Sequence, residues 1–234
     1  YVAIVLMCAL ATILFLGGWL PPLDVAWLNW VPGAIWFVLK ALFLFFLFLA
    51  LRCVQRRRWG WLYLLVPAMG FTRPGILAFA LFLGLYGVYR FVRRRKDPLT
   101  TRDIAHLVAL GGLSVVVGFA WQVIAGIVTG DPGAYLATEL ASRRNWLGDS
   151  GRGFVPFDGF VEAAGFWFTR WGLGAVTGYV FLALMVVAIA ALLLFSPQVK
   201  RLGIEVRLWS ASYLVYLLLV FFPQSSIFRL LVPI

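Results

Sequence analysis

The chain has 234 residues, of which 63% are hydrophobic and only 12% charged, and its 20 Lys and Arg outweigh 9 Asp and Glu to leave a net charge of +11. With mean hydropathy at +0.97, length cannot be converted into soluble domains, because the solvent for most of this chain is a bilayer. Nucleic-acid binding does not account for the charge either, since the basic residues gather at the ends of apolar runs and form no stripe interleaved with exposed aromatics.

In chain order the apolar runs are residues 2–20, 34–51, 107–128 and 173–195, with a shorter run at 208–222. The four longer ones are each near the roughly 20 residues a helix needs to cross a ~30 Å hydrocarbon core. They are apolar all round and lack the alternation of a membrane barrel strand, which leaves a helical bundle. Between the second and third lies the stretch 59–89, too long for one upright helix and broken at Thr72, Arg73, Pro74 and Gly75. Proline removes a donor and disfavours helix in the residue before it, so this stretch predicts a hairpin of two short membrane helices turning at TRPG. The fold class expected is therefore all-α, a polytopic helical membrane protein with about seven membrane segments, the broken hairpin included.

Three basic clusters order the topology: Arg52 with Arg56, Arg57 and Arg58; then Arg90, Arg93 to Lys96 and Arg102; then Lys200, Arg201 and Arg207. The positive-inside rule places all three in the cytoplasm. Residues 129–171 carry Asp131, Glu139, Asp149, Asp158 and Glu162 against four arginines and are expected outside. Counting back puts the N-terminus inside. A cysteine placed at Ser150 should accordingly react with an impermeant thiol reagent from outside, and one at Ser196 should not; labelling of Ser196 alone, or of both, overturns the topology.

Cys8 lies inside an apolar run and Cys53 beside a basic cluster, so neither reads as half of a structural disulfide and no metal-ligand spacing is present. His106 has no second ligand at suitable spacing and reads as an interfacial or packed residue. No cofactor fingerprint occurs. The opening in mid-run at Tyr1 and the close at Ile234 in another apolar stretch read as the ends of a fragment.

Two resemblances follow. LFLGGWLPP (14–22) and NWVPGAIWFVLKALFLFFLFL (29–49) closely resemble the H subunit of the bacterial respiratory NADH-quinone oxidoreductase, in the two helices before that family's cytoplasmic loop. From about residue 41 onward, GFTRPGILAFAL (70–81), VTGDPGAYLATELASRRNWLG (128–148) and PQSSIFRLLVP (223–233) resemble the C-terminal part of actinobacterial GT-C, PIG-V-like mannosyltransferases. The expected organisation is residues 1–51 as two respiratory-type helices and 52–234 as a multi-pass transferase-like region with outer loop 129–171, an apparent chimera. The second resemblance implies a polyprenyl-phosphate sugar donor but lacks the N-terminal part where such enzymes carry their catalytic carboxylate, so binding without turnover is expected. The first implies a quinone- and proton-linked component that works beside other membrane subunits. A non-catalytic membrane scaffold is the third reading, and all three place the chain in the bacterial cytoplasmic membrane.

Candidate site residues are few. Lys40 sits about 9 Å inside its span and either joins an intramembrane charged chain or snorkels to the outer interface. Arg73 at the TRPG turn either holds a phosphate or bonds headgroups and free carbonyls. Asp131 followed by Pro132 reads as an N-cap with proline at N1, opening an interfacial helix towards Trp146. There Arg143 or Arg144 would meet phosphate and Glu139 or Asp131 sugar hydroxyls, unless Glu139 and Arg143 merely pair at i,i+4 and Asp131 merely caps. Asp158 and Arg229 complete the set as outer-face candidates.

Overall fold

The computed structural model describes residues 2–15, 18–20, 32–72, 75–147 and 155–220, and every regular element among them is an α-helix. In order these are α1 (Val2–Phe15), α2 (Gly33–Gln55), α3 (Trp59–Thr72), α4 (Leu77–Val92), α5 (Thr101–Thr129), α6 (Ala134–Leu147), α7 (Asp158–Arg170), α8 (Ala175–Phe195), α9 (Pro197–Arg201) and α10 (Ile204–Val220). Among them α2, α5 and α8 are long and apolar enough to cross a membrane. The chain is an all-α polytopic membrane protein. It divides into two compact units, with the boundary inside α5 between Gly118 and Phe119.

In the first unit α1 and α2 form a hairpin. The described part of α1 ends at Phe15 and not at residue 20 as the apolar run suggests. The chain turns through Gly18, whose φ of 49° suits glycine and whose N–H closes back onto the Thr12 carbonyl at 2.9 Å. Trp19 then stacks on Phe37 of α2 at 4.5 Å. Helices α3 and α4, of 14 and 16 residues, are shorter than a full crossing and flank the TRPG break as expected. Both lie against α5. A Cβ at Gly70 of α3 would sit 2.1 Å from Val117, and one at Gly118 would sit 2.5 Å from Leu77 of α4. Absent side chains at these two positions let the backbones approach, the usual device of membrane helix packing.

The buried face of α4 is Phe79, Phe82, Leu83, Tyr86 and Arg90, one stripe at helical spacing. It ends on a charge. Helix α5 begins at Thr101, well before the apolar run at 107, because Thr100 Oγ1 accepts the Asp103 N–H at 3.2 Å and caps the helix three residues upstream.

In the second unit α7 and α8 pack as a hairpin through the turn at Gly172 and Gly174, with φ of 78° and 80°. Gly178 of α8 lies directly on the α7 backbone, where a Cβ would meet the Ala164 carbonyl oxygen at 2.4 Å. Arg207 at the start of α10 donates to the Leu193 carbonyl at 2.9 Å and the Leu194 carbonyl at 3.4 Å. It thereby satisfies carbonyls that the end of α8 leaves without partners. Helix α6 starts at Ala134, three residues after Asp131. Proline is not its N1 residue, because Asp131 Oδ1 accepts the Gly133 N–H at 2.8 Å in a side-chain turn placed before the helix.

Hydroxyl groups inside the helices bond to their own chain. Thr12, Ser114, Thr129, Thr138, Thr177 and Ser212 each donate to the carbonyl four residues back, at 2.7 to 2.9 Å. Each hydroxyl is thus satisfied within its own segment.

Candidate functional site

Lys40 projects from the eighth residue of α2 towards the α1 end of the hairpin, where its ammonium donates to the Leu20 carbonyl at 2.7 Å and the Gly18 carbonyl at 3.3 Å. The long side chain bends back to backbone oxygens at a turn, which is how a lysine inside a span is accommodated. Lys40→Met is expected to raise the insertion efficiency of α2, because a central charge costs about 2.5 to 3.5 kcal/mol on insertion scales. The same change leaves two carbonyls without their charged donor, so proteolysis at residues 18–20 should become faster. An insertion assay showing α2 inserted less well would overturn this reading.

The transferase-type candidates are not gathered into one place by the described residues. Arg73 and Arg229 lie outside them. Glu139, Arg143 and Arg144 fall within α6, and their side chains lie outside the description too. Asp131 is exposed and engaged in its turn with Gly133, while Asp158 opens α7, half-buried in the first turn.

A polar cluster does form elsewhere, where the α2–α3 connection meets the α4–α5 connection. The guanidinium of Arg90 is 1% exposed. Its Nη1 donates to Asp103 Oδ2 at 3.2 Å and its Nη2 to the Pro98 carbonyl at 3.2 Å, while Nε lies 3.3 Å from Asp97 Oδ2. The other oxygen of Asp103 accepts the Trp59 indole N–H at 2.9 Å. A buried charge is tolerable only when paired and hydrogen-bonded in this way.

Around that centre the two basic clusters interlock. Arg57 pairs with Asp97 across the gap. It occupies the left-handed position after α2, φ 53°, with its N–H on the Val54 carbonyl and the Arg58 N–H on the Cys53 carbonyl, at 3.1 and 2.9 Å. That is a Schellman ending with arginine where glycine is usual. The Arg57 guanidinium, and Arg90 beside it, hold the Asp97 carboxyl below the usual carboxylate range. The pair therefore stays charged to lower pH than a free aspartate would allow, and its contribution is lost only as pH falls through that lowered range. His106 stacks over Trp59 at 6.2 Å and its Nδ1 lies 3.0 Å from the Tyr63 hydroxyl.

The arrangement is an anchor with an exposed basic rim. Among the described residues Asp103 is the one buried carboxylate, and both its oxygens are occupied. Among the described residues no group of three or more His, Cys, Asp or Glu could hold a metal. Beside the anchor an open pocket of about 470 Å³ is lined by Arg57, Arg58, Trp59, Trp61, Arg102, Asp103 and His106.

Sequence reasoning counted Arg90 with the cytoplasmic arginines. Two signals distinguish it. It continues the apolar stripe Phe79, Phe82, Tyr86 at helical spacing, and Thr100 to Asp103 is a Thr-x-x-Asp helix start. Together they bring an acid to the buried end of that stripe.

A family model described as NADH dehydrogenase matches residues 1–85, so the respiratory resemblance runs past residue 51 through α3 and into α4. The NADH-quinone oxidoreductase H subunit from Bartonella bacilliformis is 66% identical over 68 residues, covering 26% of this chain and 20% of the relative. That of Allorhizobium ampelinum is 54% identical over 91 residues, covering 36% and 26%. That of Brucella ovis is 50% identical over 95 residues, covering 38% and 26%. No solved structure matches. The mannosyltransferase resemblance of the later residues rests on its sequence motifs alone. The chain spans about a fifth to a quarter of the length of the curated relatives it matches, and the part that is similar to these H subunits is its N-terminal third.

Proposed function

We propose that the chain is a membrane-embedded, non-catalytic segment of respiratory type, whose first 85 residues present helices of the H-subunit kind to partner proteins in the bacterial cytoplasmic membrane. The observation that carries this is identity of 66% over 68 residues with an H subunit, a level at which side-chain surfaces as well as apolar pattern are retained. Helix α2 supports it, since Ile35, Val38, Leu42 and Phe48 expose large apolar surface along its length. Quinone and proton chemistry belong on this reading to the assembled complex and not to this chain alone.

An affinity-tagged copy would be expressed in Allorhizobium ampelinum, extracted in mild detergent and resolved on a native gel. Migration with the NADH-quinone oxidoreductase is the expected result. Migration wholly apart from it at matched expression overturns the proposal.

A second reading takes Asp131, Glu139, Arg143, Arg144 and Asp158, with Arg73 and Arg229, as the remnant of a site for a polyprenyl-phosphate sugar. The feature favouring it is the Asp-Pro-Gly turn that opens directly into the short, polar helix α6. Inverting transfer needs a base about 2.6 to 3.2 Å from the acceptor hydroxyl. Membranes given labelled polyprenyl-phosphate mannose are therefore expected to yield no transfer product. Transfer abolished by Glu139→Gln would replace the respiratory reading with this one.

A further inference from the structure

We propose that the pocket between the first turns of α3 and α5 binds the phosphate of an anionic membrane lipid. The proposal does not depend on the respiratory reading. Residues 56–58 and 90–103 hold nine basic and two acidic side chains. Asp97 pairs with Arg57, and Asp103, which lines the pocket, has its two oxygens taken by Arg90 and Trp59. Arg58 and Arg102 are exposed, line the pocket and have no acidic partner among the described residues. Two guanidinium groups with uncommitted donors are thus held at one concave site, the arrangement that recognises a phosphate through paired N–H donors.

The backbone of α3 adds to this, because α3 begins at the pocket with no acid in its first turn, so its positive end is uncompensated; α5 also begins there but carries Asp103 in its own first turn. The depth selects lipid over a soluble phosphate. Helix α2 ends and α5 begins here, and both are long enough to span the hydrocarbon, so the pocket lies where a span meets the headgroup layer. Trp61, 61% exposed, and Trp59 stand at its wall, as interfacial tryptophans do. The rigid part of the site is the buried Arg90 network, which fixes the two connections against each other. A headgroup entering it meets two connections whose backbones are already fixed, and orders only the Arg58 and Arg102 side chains.

The test uses the full chain in dodecyl maltoside, titrated with dioleoyl phosphatidylglycerol or dioleoyl phosphatidylcholine, with bound lipid counted by native mass spectrometry. Phosphatidylglycerol is expected to be retained at least tenfold more strongly than phosphatidylcholine. In the double variant R58Q/R102Q its affinity should fall about 25-fold, taking roughly fivefold for each arginine near an anionic surface. The variant R95Q/K96Q removes equal charge from the same region outside the pocket and should lose less than threefold. Equal losses in the two variants would show a diffuse charge effect and overturn the site. Indifference of wild-type protein to the headgroup would do the same. Inorganic phosphate at 10 mM is expected to leave the lipid bound, and its complete displacement would overturn the lipid assignment in favour of a soluble phosphate. Because Arg58 and Arg102 are exposed, a far-ultraviolet spectrum matching wild type is expected for both variants.

Discussion

Replacing Arg90 by methionine is expected to destabilise the first unit by about 3 to 5 kcal/mol, the usual cost of removing one partner from a buried ion pair. The guanidinium is 1% exposed and meets Asp103, Asp97 and the Pro98 carbonyl. After truncation Asp103 stays enclosed, with only the uncharged Trp59 and Thr100 side chains left beside its carboxylate. Lysine cannot substitute, since a point ammonium does not reproduce a planar fork that bonds Asp103 and the Pro98 carbonyl at once. Thermal unfolding in detergent should rank wild type above Arg90→Lys and Arg90→Lys above Arg90→Met. The double variant R90M/D103N should recover at least half of the loss, because an uncharged amide at position 103 no longer needs a counterion. A midpoint for Arg90→Met within a degree or two of wild type would show that the network carries no weight.

In the second unit the largest effect is expected from Gly178→Ala. The new Cβ would lie 2.4 Å from the oxygen and 2.8 Å from the carbon of the Ala164 carbonyl. These are backbone atoms, which cannot turn aside as a side chain can. The helices α7 and α8 must separate, at a cost of about 1 to 3 kcal/mol for an overpacked contact. Gly165 provides the internal comparison. A Cβ there would meet the Tyr179 hydroxyl at 2.8 Å, the far end of a side chain that can move, so Gly165→Ala should cost less than half as much. Disulfide trapping between cysteines placed on facing positions of α7 and α8 reads the separation directly. Undiminished trapping in Gly178→Ala would refute the close approach.

The helices of this chain were legible because a membrane segment announces itself by length and apolarity alone. The TRPG break was legible for a local reason, proline and glycine acting on two or three residues. Helix ends were less so. The described α1 stops before Gly18 although Trp19 and Leu20 continue the apolar run, since hydropathy does not register a backbone turn. At α5 the reverse holds: the apolar run begins at residue 107, yet Arg102, Asp103 and His106 are already helical because Thr100 caps the helix ahead of them. The candidate site divided in the same way. Lys40 was legible as an anomalous charge in an apolar run, but its bend to the Leu20 carbonyl depends on a turn that hydropathy does not register. Arg90 was hidden by company, its neighbours Arg93 to Lys96 giving it the look of a topological signal. Its place on the stripe of Phe79, Phe82 and Tyr86 and its pairing with Asp103 13 residues later separate it from them, and neither is a property of composition.

The hydroxyls that bond within their own helices bear on how the chain is made. A segment whose Thr or Ser is already satisfied four residues back can leave the translocon alone, without waiting for a neighbour. Arg90 is the exception, since its carboxylate partner is 13 residues further along. At about 5 to 20 residues per second, the ribosome delivers Asp103 roughly one to three seconds after Arg90. For that interval the Arg90 charge lacks its Asp103 partner, so α4 gains from entering the bilayer together with α5.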